Sequence, residues 1–108
     1  MKCPRTILAI DVGSSRAKAA LVDPSGRFVR AGAAEYAEAK KACPASERAP
    51  DAWWEGATAA VQSLLLQPRS DGVEAVVACG ATLVMVLLDG KGRSIRPAIL
   101  WDDPRGQG

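Results

Sequence analysis

Apolar and polar positions fall into short blocks along the chain, and the blocks predict an α/β domain with a sheet of mixed direction. Ile7-Leu8-Ala9-Ile10 is a continuous apolar run closed by Asp11, the pattern of a strand buried on both faces. Gly13-Ser14-Ser15 supplies turn chemistry. Lys18 to Val22 then resumes the apolar run until Asp23-Pro24-Ser25-Gly26 turns the chain again, so the two runs predict a hairpin. Arg27 to Ala31 alternates polar with apolar side chains and predicts a third strand with one solvated face. From Ala33 to Ala49, alanine, glutamate and lysine around Pro44 show no clear period and are expected to form a loop with at most one helical turn.

Pro50 suits the first position of a helix, and Asp51 suits its first turn, where the helix dipole favours an anion. The segment runs through Leu66 with Trp54, Ala57, Val61 and Leu64 on one face, and Gln67 to Gly72 ends it. Val73 to Cys79 predicts a fourth strand, placed centrally by its apolar character. Leu83 to Leu88, the turn Asp89-Gly90-Lys91-Gly92 and Ser94 to Trp101 predict a closing hairpin. Pro97 puts its last strand at an edge or bulge, and that strand is expected to end beside the fourth. No helix follows Trp101, which would leave one face of a mixed sheet poorly covered. That points to a fragment of a longer protein, with a natural small domain as the alternative.

Composition narrows what such a domain can do. The 108 residues suffice for one modest core, although twenty of the apolar positions are alanine. Fourteen Lys and Arg against twelve Asp and Glu leave a net charge of +2, too balanced for a polyanion-binding surface, so nucleic acid is not an expected partner. Cys3, Cys43 and Cys79 are far apart, odd in number and unaccompanied by any histidine, which excludes a zinc site and every histidine-dependent triad. Without a disulfide framework the expected compartment is the cytoplasm. No apolar run reaches the roughly 18 to 20 residues of a membrane span, so no membrane is expected. A homo-oligomer is left open.

The stretch richest in chemistry is Asp11-Val12-Gly13-Ser14-Ser15-Arg16-Ala17-Lys18. An acidic residue at a strand end can hold Mg²⁺ through water, and a glycine beside it lets backbone N–H groups approach a phosphate. Serine hydroxyls can donate to phosphate oxygens, and Lys18 adds positive charge. Taken bare, the same residues make an ordinary hairpin turn. Neither Gly-x-x-x-x-Gly-Lys-Ser/Thr nor a Gly-x-Gly-x-x-Gly opening a helix is present, which excludes two common nucleotide sites.

In this context the segment resembles the first phosphate motif of the actin and hexokinase superfamily, and within it the FGGY family of carbohydrate kinases. The resemblance rests on residues 7–18, on Pro50-Asp51-Ala52-Trp53-Trp54, and on Arg96-Pro97-Ala98-Ile99-Leu100-Trp101-Asp102-Asp103-Pro104-Arg105. It implies an actin-like ATPase, ribonuclease H-like sheet, here the incomplete N-terminal lobe of a two-lobed enzyme. It also implies ATP-dependent phosphorylation of a sugar or polyol. Asp11 would contact Mg²⁺ through water, Gly13, Ser14 and Ser15 would line the β- and γ-phosphates, and Lys18 matches the motif's basic position. Trp101 and Asp103 match sugar-contacting positions, with helix capping as the alternative for Asp103. The general base and the adenosine pocket would lie in the second lobe, so the chain alone is expected to be inactive.

One departure stands out. Where many relatives carry Gly-Gln-Met-His-Gly, this chain has Gly80-Ala81-Thr82-Leu83-Val84, and only Thr82 offers the substrate a side-chain hydrogen bond. That departure favours a non-catalytic ligand-sensing module as the alternative. A two-metal nuclease ranks last, because Val76 to Cys79 supplies no second carboxylate. Trp53 and Trp54 are expected to pack, and the pairs Arg93/Arg96 and Lys40/Lys41 to be solvated surface.

Overall fold

A computed structural model of the chain describes residues 5–36, 46–66 and 72–106. Cys3, Lys40, Lys41, Cys43 and Pro44 lie outside the described residues, as does most of the expected break after the helix. Three strands form an antiparallel meander: β1 (Arg5–Val12), β2 (Arg16–Val22) and β3 (Phe28–Glu35). A two-residue strand β4 (Glu47–Arg48) precedes helix α1 (Pro50–Leu65), and β5 (Gly72–Gly80) returns parallel to β1. The main sheet has the order β3-β2-β1-β5.

Helix α1 covers one face of this sheet. Ala17, Ala19 and Leu21 of β2 alternate inward beneath it, and the helix answers with Ala52, Gly56, Ala60 and Leu64 at a strict spacing of four. Trp53, Ala57 and Val61 flank the stripe. Small residues on both elements let backbone approach backbone, so this core is alanine-rich and its largest fully buried side chain is Tyr36. The expected helix face is corrected by one residue at its start: Trp54 is 76% exposed and Trp53 turns inward instead. Adjacent helical residues point about 100° apart, and the close approach selects the small-residue stripe rather than the bulky one.

Three further expectations are corrected. The stretch expected to be a loop from Ala33 begins as strand, because β3 continues past Ala31 to Glu35, and β4 lies near its end. β5 is an edge of the described sheet, not its centre, and every one of its residues is exposed. The last strand, β6 (Ala98–Ile99), pairs antiparallel with β4 and not with β5. The closing hairpin forms no continuous ladder and is joined by isolated bridges, Met85 to Ile99 and Leu88 to Ser94.

Two turns share one design. Asp23 Oδ1 accepts the Ser25 and Arg27 N–H groups at 2.9 and 3.0 Å, and Oδ2 accepts Arg27 Nε at 3.1 Å. Asp89 does the same for Lys91, Arg93 and Arg93 Nε at 2.8, 2.9 and 2.9 Å. Each turn closes on a glycine with positive φ, Gly26 at 85° and Gly92 at 77°. The Ser25 hydroxyl and the Arg27 N–H hold Asp23 down to about 2, and the Arg93 and Lys91 N–H groups lower Asp89. A carboxylate whose folded pKa is depressed contributes stability that is present above its unfolded pKa and lost as pH falls through the folded one. Stability is therefore expected to decline as pH drops from about 4 towards 2. Denaturant melts of Asp23→Asn should show a shallower decline over that window, and an unchanged slope would remove the turn from the acid response.

Candidate functional site

The end of β1 is the natural focus of the sheet, because there it has a hydrogen-bonded neighbour on each side. Asp11 stands opposite Lys18 on β2 and opposite Cys79 on β5. Side chains at paired positions share a face, so the three gather on the side away from α1. Lys18 Nζ lies 3.3 Å from Asp11 Oδ2, and the Cys79 thiol lies 3.7 Å from Oδ1. Both charged side chains remain open, 42% exposed for Asp11 and 57% for Lys18.

The turn beyond Asp11 is tied down at Gly13. Its N–H donates to the Arg16 carbonyl at 3.1 Å, and its own carbonyl accepts the Tyr36 hydroxyl at 2.7 Å. A Cβ on Gly13 would stand 2.9 Å from the Arg16 carbonyl oxygen. The need for glycine is therefore steric closure of the turn, not a left-handed φ. Ser14 and Ser15 form the exposed tip. From this end a groove of about 570 Å³ runs over the uncovered sheet face, floored by Ala9, Ala20, Ala31, Ala33 and Val77.

Among the described residues no three acidic, cysteine or histidine side chains converge as a metal cage. One open carboxylate beside a lysine, two hydroxyls and a tight glycine turn instead suit an anion that brings its own cation. Such a cation would keep most of its ligands from water and phosphate.

The other expected site residues lie elsewhere in the chain. Thr82 is exposed in the turn after β5, where Ala81 N–H donates to the Val12 carbonyl at 3.0 Å. Leu83 follows with φ of 54° and is 82% exposed. A leucine held there costs about 1 kcal/mol relative to glycine, and its exposure means little packing is at stake. Leu83→Gly is expected to stabilise the fold by about that amount, read as a higher denaturant midpoint at unchanged slope; a lower midpoint would show that Leu83 packs.

Trp101 is 68% exposed. Asp103 is different: its side chain is only 5% exposed, and both carboxylate oxygens engage Arg105. Asp103 Oδ1 also accepts the Arg105 N–H at 2.9 Å, closing the 3₁₀ turn Pro104–Gly106. The Arg105 side chain and backbone hold its carboxyl well below the usual carboxylate range. Arg105 and Arg96 converge on Glu47, whose side chain is 9% exposed, with Arg96 Nη2 at 2.6 Å. Arg96 is thus not simple solvated surface. Glu47 and Tyr36 escaped the sequence reading, and only for Tyr36 was there a signal: continuing the in-out alternation of β3 through Gly32 and Ala34 puts it on the inner face.

Residues 6–108 match the N-terminal domain of the FGGY family of carbohydrate kinases. The chain belongs to that family. It is 33% identical over 98 residues to the xylulose kinase of Escherichia coli and 30% identical over 99 residues to that of Staphylococcus xylosus. These alignments cover 91% and 92% of this chain but 20% of each relative, so the chain spans about a fifth of their length. The crystal structure of xylulose kinase from Bifidobacterium adolescentis superposes with a TM-score of 0.77 at 26% identity, over 93% of this chain and 18% of that one. The mixed sheet is accordingly the FGGY kinase sheet, the actin-like ATPase fold. Among the described residues no helix is long and apolar enough to cross a membrane.

Proposed function

We propose that this chain forms the phosphate-side wall and part of the sugar-side wall of an ATP-dependent kinase acting on a sugar or polyol hydroxyl, with xylulose as the substrate. The observation that carries the reading is the open Asp11–Lys18 pair at the end of β1, beside a glycine turn too tight for a Cβ. Asp11 would hold Mg²⁺ through water, Lys18 would offset phosphate charge once drawn from Asp11, and Gly13, Ser14 and Ser15 would present N–H and hydroxyl donors to the β- and γ-phosphates. Mg²⁺ supplies charge neutralisation on the transferring phosphoryl group. The chain's own contribution is positioning and a preorganised turn.

On the sugar side, Trp101 offers an open indole face for the C–H face of the substrate, and Thr82 offers a hydroxyl. Asp103 would have to release Arg105 to accept sugar hydroxyls, so its role in this reading is to hold the turn that follows Trp101. The Ala81-Thr82-Leu83 stretch favours a second reading, a ligand-sensing module without turnover, because it leaves substrate hydroxyls few partners.

A chimera decides between the two. With this chain replacing the matching first fifth of the Escherichia coli xylulose kinase, ATP-dependent phosphorylation of xylulose is expected, while the chain alone is expected to give none. A folded chimera that binds Mg-ATP and xylulose but turns nothing over would favour the sensing module. Turnover by the chain alone would overturn the assignment of the base and adenosine pocket to the rest of the enzyme.

A further inference from the structure

Tyr36 stands out in a core built of alanine. It is 1% exposed, and its ring fills a space that α1 leaves open only because residue 56 is glycine. A Cβ at Gly56 would come within 2.6 Å of two ring carbons. The Arg48 guanidinium lies over the ring, 4.6 Å from its centre. With the helix against one edge of the ring and Arg48 over a face, the phenol hydroxyl donates to the Gly13 carbonyl at 2.7 Å. Burial pushes the phenol above its ordinary range; Arg48 pulls it down and Asp11 pushes it further up. The group therefore stays a proton donor at neutral pH.

The peptide group that begins with the Gly13 carbonyl ends with the Ser14 N–H. In a planar trans peptide these two point in opposite directions. Drawing the carbonyl onto the buried phenol thus turns the Ser14 N–H away from the core. We propose that Tyr36 is a positioning residue for the phosphate turn: by anchoring the Gly13 carbonyl it aims the Ser14 N–H outward as an anion donor. The inference rests on the kinase reading for what the donor meets, and on the geometry alone for how the donor is aimed.

The test uses the ¹⁵N-labelled 108-residue chain as wild type, Tyr36→Phe and Gly56→Ala. Tyr36→Phe keeps the ring and removes only the hydroxyl. Its Gly13 and Ser14 amide resonances are expected to shift and exchange faster with solvent, while those of Ala19 and Leu21 stay in place. In the chimera with the Escherichia coli enzyme, the same substitution should weaken Mg-ATP binding about fivefold, the factor matching about 1 kcal/mol for one hydrogen bond. Gly56→Ala should move the same two amides by displacing the ring, and should move them no further when combined with Tyr36→Phe. Unchanged Gly13 and Ser14 amides in Tyr36→Phe would overturn the proposal. A wild-type chimera indifferent to Mg-ATP would count against the nucleotide reading, and the amide comparison in the 108-residue chain without nucleotide would still decide whether Tyr36 aims the turn.

Discussion

In an active enzyme carrying this chain, Asp11→Ala is expected to lower turnover by about 10²- to 10³-fold while leaving the fold in place. The two effects separate because Asp11 does different things in the two states. Its carboxylate is 42% exposed and, among the described residues, pairs with Lys18 and the Cys79 thiol, contacts of the kind that contribute about 0 to 1 kcal/mol. In the reaction it would anchor the cation that screens the transferring phosphoryl group, and charge developing in a transition state is far more sensitive to a lost anchor. Asp11→Asn keeps the volume and removes the charge, so it should fall with alanine. Turnover within a few-fold of wild type for either variant would remove Asp11 from the mechanism.

The largest expected loss of stability comes from Gly56→Val, which should cost about 3 kcal/mol or more. The Tyr36 ring lies where the new Cβ would stand, and at 1% exposure the ring has no free volume to enter. Two further methyl groups would have to part α1 from the sheet. Gly56→Ala should cost much less, because better helix propensity returns about 1 kcal/mol against the same overlap. Shrinking the ring with Tyr36→Leu should recover part of the Gly56→Val loss, as measured by denaturant unfolding. Wild-type stability in Gly56→Val would mean that helix and sheet are not in the close contact described above.

How far the fold could be read from the sequence depended on contrast between neighbouring side chains. Residues 7–10 and 18–22 are apolar blocks bounded by charge and turn residues, and they became β1 and β2. Pro50 and Asp51 marked the start of α1 for reasons local to the helix terminus. Contrast failed in Ala31-Gly32-Ala33-Ala34, where in-facing and out-facing positions carry the same small residues, so the end of β3 read as loop. It failed again at Trp53-Trp54, where the size of the partner surface, not polarity, chose the inner residue. The Asp-x-x-Gly-Arg turns at 23–27 and 89–93 were visible as turns but not as copies of one another.

The site shows the same division. The hairpin turns at Ser14-Ser15 with Gly13 opposite Arg16, and that short local turn sets Asp11 opposite Lys18. Cys79 reaches Asp11 only through the parallel register of β1 and β5, and Glu47 reaches Arg105 across 58 positions of sequence. No local pattern encodes such distances.

That unevenness of range has a consequence for the order of assembly. β1, β2 and β3 close through short turns, whereas β1 and β5 meet across the helix, as in the bond from the Thr6 hydroxyl to the Gly72 carbonyl over 66 positions. Loop closure over such a span carries a larger entropic cost. During synthesis the three-strand meander leaves the ribosome complete before β5 exists, with one flank of β1 still unpaired. Asp11 sits on that flank, so the Cys79 side of its surroundings arrives only with β5. The turn at Gly13 is set early, by contacts with β2 and Tyr36; the wall beside it is finished late.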